Sequence, residues 1–309
     1  MSINMGDNLQ VTFWGTRGSC AAPFSDRMKY GGNTSCVSVQ WKEGIAVFDG
    51  GTGIVAFGKE LEKAYCHEGY EKDVSIFVFI SHVHLDHIIG IPLFSCLFWK
   101  EATIHFFGPG TEEESFRQRL SKVLGHPYWP VIVDQVPANV VWHDTGRELS
   151  WKLPGNVFVR AMSSNHPNGG YLYRLEKESQ SVVYGLDCEL GEQKDEKKGE
   201  NIGENLEPEK TFWENYRKFA LDCSLLIFDA PYTEEDYTYY RGFGHSFWQQ
   251  GLVMAQECNA GHLSICHHDW SRTDEQLAQK EQELKMLAEK WGRTAEFAKE
   301  GVSIYLENR

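Results

Sequence analysis

The sequence has 309 residues, 41% hydrophobic and 13% aromatic, enough apolar mass to build a sizeable core in one large domain or two small ones. A formal net charge of −14, from 44 acidic and 30 basic residues, disfavours a long polyanion as partner unless a basic patch or bound metal reverses the sign locally. Residues 1–10 lack the basic start and apolar run of a secretory signal, and no apolar stretch approaches the roughly 20 residues of a membrane span, so a cytoplasmic protein is expected.

In chain order, β-type runs fall at 11–14, 36–41, 45–48, 74–80 and 103–107. Thr111-Glu-Glu-Glu114 reads as a capping box ahead of a helix carrying Phe116, Leu120 and Val123. Further strands are expected at 157–162, 171–175, 181–186 and 225–228. Between 189 and 210 the chain is dominated by Glu, Lys, Asn and Gly and reads as a solvated insertion within a single domain spanning 1–309. A helix is expected over 246–257, then a strand at 263–266. A second capping box, Thr273-Asp-Glu-Gln276, precedes a helix with Leu277, Leu284, Leu287 and Trp291 on one face, and a last strand is read at 302–306. Many strands with helices between them predict a layered α/β fold. The eight cysteines show no C-x-x-C spacing, so neither a zinc ribbon nor a thioredoxin motif is present, and their low density fits a reducing compartment.

The chemistry concentrates in Ser81-His82-Val83-His84-Leu85-Asp86-His87, directly after the strand at 74–80. Three histidines and an aspartate so close together are hard to explain by packing. On an extended chain His82 and His84 point the same way, because side chains alternate with period two. If the chain then turns, Asp86 and His87 face the same cavity, offering nitrogen and oxygen donors to two adjacent ions. Imidazole with carboxylate suits zinc, with iron or manganese as alternatives. His166, Asp187 and His267 each follow the C-terminal lip of an apolar strand and are candidates for the remaining ligands.

With these residues in view, the chain resembles the metallo-β-lactamase superfamily of metal-dependent hydrolases over nearly its whole length. The resemblance rests on Phe13-Trp-Gly-Thr-Arg-Gly-Ser19 with Tyr30-Gly-Gly-Asn-Thr-Ser35, on Phe48-Asp-Gly-Gly-Thr-Gly53, and on the run from Ser81 to His87. It continues through His166-Pro-Asn-Gly-Gly-Tyr171, Gly185-Leu-Asp187, Gly244-His-Ser246 and Cys266-His-His-Asp269, blocks similar to those of tRNA 3′-processing endonucleases and small phosphodiesterases. The fold it implies is a four-layer αββα sandwich. The ligand set it implies places His82, His84 and His166 on one ion and Asp86, His87 and His267 on the other, with Asp187 bridging. His268 competes with His267 for the last place. His245 would assist the leaving group, Asp229 would orient His245, and Asp49 would support the metal-binding loop by hydrogen bonds. Asp86 also counts as catalytic through the metal it holds.

The expected activity is dinuclear-metal hydrolysis of a small or nucleotide-type phosphodiester by a metal-bridging hydroxide, with two divalent ions as cofactors and zinc first among them. A membrane partner is not expected, a large structured nucleic acid is disfavoured, and a homodimer is allowed. Residues 125–130 are a candidate lid, and Phe94, Phe98 and Trp99 candidate walls of the pocket. The alternatives on the same fold are a thioester or lactone hydrolase and an iron-dependent persulfide dioxygenase. A binding protein that turns nothing over is a third, and the full ligand set argues against it.

Overall fold

The computed structural model describes residues 8–67, 74–131, 135–191 and 206–307. The first part of the chain holds β1 (Gln10–Gly15), β2 (Arg17–Gly18), β3 (Cys36–Trp41), β4 (Gly44–Phe48), α1 (Gly53–His67), β5 (Val74–Phe79) and α2 (Leu85–Ile88). Next come β6 (Ala102–Pro109), α3 (Phe116–Val123), β7 (Asn139–Thr145), β8 (Ser150–Leu153), β9 (Val157–Ser163), β10 (Tyr171–Lys177) and β11 (Gln180–Gly185). The remainder is α4 (Leu206–Phe219), β12 (Leu225–Asp229), α5 (Glu234–Tyr240), α6 (Trp248–Glu257), β13 (His262–Cys266), β14 (His268–Asp269), α7 (Asp274–Trp291), β15 (Thr294–Phe297) and β16 (Ser303–Tyr305).

Two seven-stranded sheets result, in the orders β16-β1-β3-β4-β5-β6-β7 and β15-β13-β12-β11-β10-β9-β8, with a small β14-β2 pair between distant parts of the chain. Each large sheet is antiparallel on one side and parallel on the other: β4 through β7 are parallel in the first, and β11, β12, β13 and β15 in the second. Parallel neighbours need crossover connections, and these supply the outer helices. Side-chain alternation then assigns the layers. In β5, Phe77 and Phe79 turn into the core shared by both sheets, while Ile76 and Val78 face outward to a second core that contains Ile54, Phe57 and Leu61 of α1. The other outer core takes Leu226 and Phe228 of β12 with Trp248, Leu252 and Ala255 of α6 and Leu277 and Leu284 of α7. The order helix, sheet, sheet, helix is the expected αββα sandwich. Full burial of a side chain such as Phe57 contributes roughly 1.5–3 kcal/mol relative to exposure.

Local sequence and tertiary packing part company at several points. The helix expected after Thr111 is capped by Ser115 instead, whose hydroxyl accepts from the Gln118 amide while the Gln118 side chain accepts from the Ser115 amide. Thr111 and Glu114 form a separate turn before it, with Thr111 N donating to Glu114 O at 2.7 Å. Helix α7 does start at Thr273, but its inward face is Leu277, Glu281, Leu284 and Ala288, and Leu287 is 37% exposed. The buried spacing of four, three and four is the helical stripe, and Leu287 lies one step off it. Helix α6 begins at Trp248, two residues later than read. Strands β7, β8 and β15 and helix α1 were not anticipated. The stretch read as a solvated insertion divides into three: Glu189, Leu190 and Gly191 are buried, 192–205 lie outside the described residues, and Leu206 opens α4.

Candidate metal centre

The site residues stand at one edge of the sandwich, most of them at or beyond the C-terminal ends of parallel strands. Ser81 to His87 follow β5, Asp187 follows β11, Asp229 ends β12 and His267 follows β13, while His166 lies in the connection from β9 to β10. Three of the turns are left-handed at non-glycine residues: Asp49 has φ 61°, Asp187 φ 54° and His267 φ 62°. Such conformations cost of order 1–3 kcal/mol each and persist where the surroundings over-determine them.

Asp187 organises the geometry, because its two carboxylate oxygens face two different groups. Oδ2 lies 3.5 Å from His82 Nε2 and 3.6 Å from His166 Nε2, and His84 Nδ1 is 3.2 Å from that same His166 nitrogen. Oδ1 lies 3.1 Å from His87 Nε2 and 3.2 Å from His267 Nε2. Asp86 Oδ2 completes the second group, 3.2 Å from His87 Nε2 and 3.3 Å from His267 Nε2. The donor atoms of His82, His84, His166 and Asp187 lie within 4.8 Å of one another, as do those of Asp86, His87 and His267.

The partners behind each ring choose the nitrogen that faces inward. His87 Nδ1 donates to Asp49 Oδ2 at 2.7 Å, and His166 Nδ1 donates to the Gly244 carbonyl at 2.9 Å. The Ser81 hydroxyl spends its proton on Asp49 Oδ2 at 2.8 Å, so His82 Nδ1, 3.0 Å away, is the donor between them. Each arrangement leaves Nε2 as a lone pair turned to the centre. Asp49 also accepts from the Ser81 amide and from the Tyr184 hydroxyl, both at 2.7 Å, and its carboxylate supports the loop from behind. The Ser19 amide donates to Asp86 Oδ2 at 2.7 Å.

Divalent ions fit this donor set. His82 Nε2, His87 Nε2 and Asp187 Oδ1 are buried and have no hydrogen-bond partner among the described residues, although His87 Nε2 and Asp187 Oδ1 are only 3.1 Å apart. Close approach without hydrogen-bond alignment is what converging ligands show. The electrostatics agree. Burial, then the neighbouring imidazoles, push the pKa values of His82 and His84 down, and burial likewise lowers His166, so these rings are neutral donors. At the other group burial opposes charge, but Asp187 and Asp86 outweigh it and hold His87 above its ordinary value; Asp187 and Asp229 raise His267 to about 10. Buried carboxylates there call for positive charge, which a divalent ion supplies as well as a proton does.

Beside the second group, His245 Nδ1 lies 2.9 Å from Asp229 Oδ2 and 4.0 Å from Asp187 Oδ2. Asp229 reaches two histidines, since its Oδ1 is 3.3 Å from His267 Nδ1, and it also accepts from the Cys188 amide at 2.9 Å. His268, the rival of His267, points elsewhere: its Nε2 donates to the Ala298 carbonyl at 2.8 Å, and burial lowers its pKa to about 3. Phe94 is fully buried and stacks on Phe57, so it belongs to the outer core and not to a pocket wall; Trp99 packs against that core too, and Phe98 is exposed. In the segment read as a lid, Tyr128 stands exposed.

Sequence reading overlooked three supports: the Ser19 amide, the Tyr184 hydroxyl and Glu189. Of the three, only Ser19 lay in a block that carries the family resemblance. Tyr184 sat in an apolar strand, and Glu189 in a polar run that looked solvated.

No protein-family model matches the chain. Ribonuclease Z of Nitrosopumilus maritimus is 20% identical over 297 residues, covering 86% of this chain and 91% of that protein. Among solved structures, the metallo-β-lactamase fold protein YhfI of Bacillus subtilis superposes with a TM-score of 0.61 at 19% identity, covering 97% of this chain and 100% of that one. The short form of human tRNase Z gives 0.60 at 17% identity over 96% of this chain and 99% of that one. A diphosphatase from the PhnP family gives 0.60 at 16% identity over 97% and 98%. The chain has the metallo-β-lactamase fold and is a metal-dependent hydrolase related to the tRNA 3′-processing endonucleases and phosphodiesterases.

Proposed function

We propose that this chain cleaves a small or nucleotide-type phosphodiester at a two-metal centre. The observation that carries the reading is the His245–Asp229 pair, a buried proton carrier set against the two ligand groups. His82, His84 and His166 would hold one ion, Asp86, His87 and His267 the other, and Asp187 both. When bound, two divalent ions, zinc on this donor set, supply Lewis acidity toward phosphoryl oxygens and acidify water. With Nδ1 engaged by Asp229, His245 carries its transferable proton on Nε2. As a water oxygen, giving up a proton to solvent, bonds to phosphorus and the P–O bond to the leaving group breaks, the His245 proton passes to the leaving oxygen, giving an alcohol and a phosphomonoester, and Asp229 stabilises the charged imidazole until then.

The nucleotide preference has a local support. The Tyr232 ring lies 6.0 Å from that of His245, Tyr240 stacks on Tyr232 at 4.9 Å, and Phe243 meets Tyr240 edge-on at 5.8 Å. Phe243 is 62% exposed. A run of rings leading from the proton carrier to solvent suits a base on the leaving group. Against this stands a second reading, RNA as substrate, which the ribonuclease Z and tRNase Z relatives favour and which runs counter to the expectation drawn from charge. The net charge of −14 still speaks for the small substrate. Among the cysteines whose side chains are described none is in a disulfide, which supports a cytoplasmic site of action. No helix among the described residues is long and apolar enough to cross a membrane.

Hydrolysis of bis(p-nitrophenyl) phosphate by protein loaded in turn with zinc, manganese and iron, beside Asp86→Ala, tests the reaction class. Metal-dependent turnover that disappears in Asp86→Ala is expected. No turnover despite two bound equivalents moves the reading to a thioester or lactone, and a single bound iron moves it to a dioxygenase. Cyclic and linear dinucleotides assayed beside a 3′-extended tRNA precursor then separate the two substrate readings, faster cleavage of the precursor overturning the first.

A further inference from the structure

Glu189 lies two residues beyond Asp187 and is only 9% exposed. Its carboxylate is spent on one loop. Oε1 accepts from the Tyr237 hydroxyl at 2.7 Å and from the Gly242 amide at 2.8 Å, and Oε2 accepts from the Gly244 amide at 2.9 Å. Gly242 and Gly244 have φ 88° and 90°, conformations that glycine takes without strain, and residues 241–243 between α5 and His245 are exposed. Two amides turned toward one carboxylate make an anion-binding concavity occupied by the protein's own side chain. The backbone of Glu189 is tied down as well: its amide donates to the Asn165 carbonyl at 3.0 Å, and its carbonyl accepts from the Asn165 side chain at 2.7 Å.

The far side of His245 is anchored to the same segment. The Ser246 hydroxyl donates to the Cys188 carbonyl at 2.7 Å and accepts from the Leu190 amide at 3.1 Å. The residues before and after His245 are therefore both fastened to the segment 188–190. That segment follows Asp187 directly, and its Cys188 amide also holds Asp229.

We propose that Glu189 is a positioning residue for His245: by clamping Gly242 and Gly244 it sets the imidazole against Asp229. The inference rests on the reading of His245 as the proton carrier. A glutamine in this place keeps the volume but lacks one acceptor, so a side-chain N–H would meet a backbone N–H at Gly244 or Gly242. The clamp would open while the metal ligands stay in place.

The test is Glu189→Gln, read in two independent ways. In the first, amide hydrogen exchange at Gly242 and Gly244 and the ring N–H signal of His245 are followed by NMR. Protection at both glycines should fall and the His245 signal should shift; wild-type behaviour at these groups overturns the proposal. In the second, kcat is compared for bis(p-nitrophenyl) phosphate and for methyl phenyl phosphate, whose leaving group needs a proton more. Since proton donation contributes roughly 10²–10⁴-fold, a displaced donor should cost about 10–100-fold on the phenyl ester, little on the p-nitrophenyl ester, with KM and metal content unchanged. In a His245→Ala background Glu189→Gln should cost nothing further; a second, equal loss there overturns the proposal. If Glu189→Gln fails to fold, Tyr237→Phe, which removes one partner of the clamp, should give the same shifts at smaller size, and wild-type values overturn it. Should the wild type hydrolyse neither ester, the phosphodiesterase reading fails, and the NMR arm still decides the clamp.

Discussion

Asp49 Oδ2 lies 2.7 Å from Nδ1 of His87, a residue 38 positions further along the chain, and both side chains are fully buried. The contact turns the other nitrogen of His87 toward Asp86 and Asp187. A carboxylate outside both donor groups thus decides which nitrogen His87 would present to an ion. Asp49→Asn should weaken metal affinity roughly 10–100-fold, because the amide puts a donor where Ser81, Tyr184 and His87 all donate. Competition against a chromophoric chelator measures it, and an unchanged affinity would remove the role.

His245→Ala should keep both metal equivalents and lose roughly 10²–10⁴-fold in kcat on an ester with a poor leaving group. Asp229→Asn should move in the same direction, since an amide cannot stabilise the charged imidazole in the same way. Full activity of either variant on methyl phenyl phosphate would sink the proton-carrier role.

Gly18 is packed face to face with His267, which would hold one of the ions. A Cβ at this position would sit 2.3 Å from His267 Nδ1 and 2.4 Å from Cε1. Gly18→Ala should therefore displace the His267 ring, lower the metal stoichiometry toward one and reduce Tm. Metal analysis after gel filtration gives the count; two retained equivalents with an unchanged Tm would contradict the packing argument.

Ions that bind only the folded chain stabilise it by mass action, about 2.7 kcal/mol at a free concentration 100 times Kd. Stripping with a chelator should lower Tm, and re-addition of zinc should restore it. In Asp187→Asn the response to zinc should largely vanish, because both groups lose a charged oxygen. A Tm indifferent to metal in the wild type would argue against ions at this site.

Acid stability has a marker remote from the metal groups. Glu281 is buried in α7, accepts from the Tyr30 hydroxyl at 2.7 Å and pairs with Lys299 at 2.9 Å and Lys285 at 3.0 Å. Burial raises its pKa, but these partners outweigh burial and bring it below its ordinary value. A depressed acid contributes stability that is fully present above its unfolded pKa and is lost as the pH falls through its folded value. The stability gap between wild type and Glu281→Gln should be constant near neutrality and shrink in acid. A gap independent of pH, in denaturation curves from pH 7 down to pH 3, would assign the effect to packing instead.

His82, His84, Asp86 and His87 were legible in the sequence because their convergence is local: a strand of period two followed by a turn brings four side chains together whatever the rest of the chain does. Most of the long strands were legible for the same reason, as apolar runs at the right period, whereas β7, β8 and β15 were not. His166, Asp187 and His267 could be named as candidates from their places after strands, but they are 79 to 180 residues beyond His87. Only the parallel register of β11, β12 and β13 brings Asp187, Asp229 and His267 to one edge, and only left-handed backbone at Asp187 and His267 turns them inward. Glu189 was misread because it was grouped with the polar run that follows it, and burial is decided by what packs against a residue in space. Local period thus determined most of the elements and the first four candidate donors. Which oxygen of Asp187 faces which group, which nitrogen each ring presents and which carboxylate holds the His245 loop depend on contacts between remote segments, and the tertiary structure alone decided them.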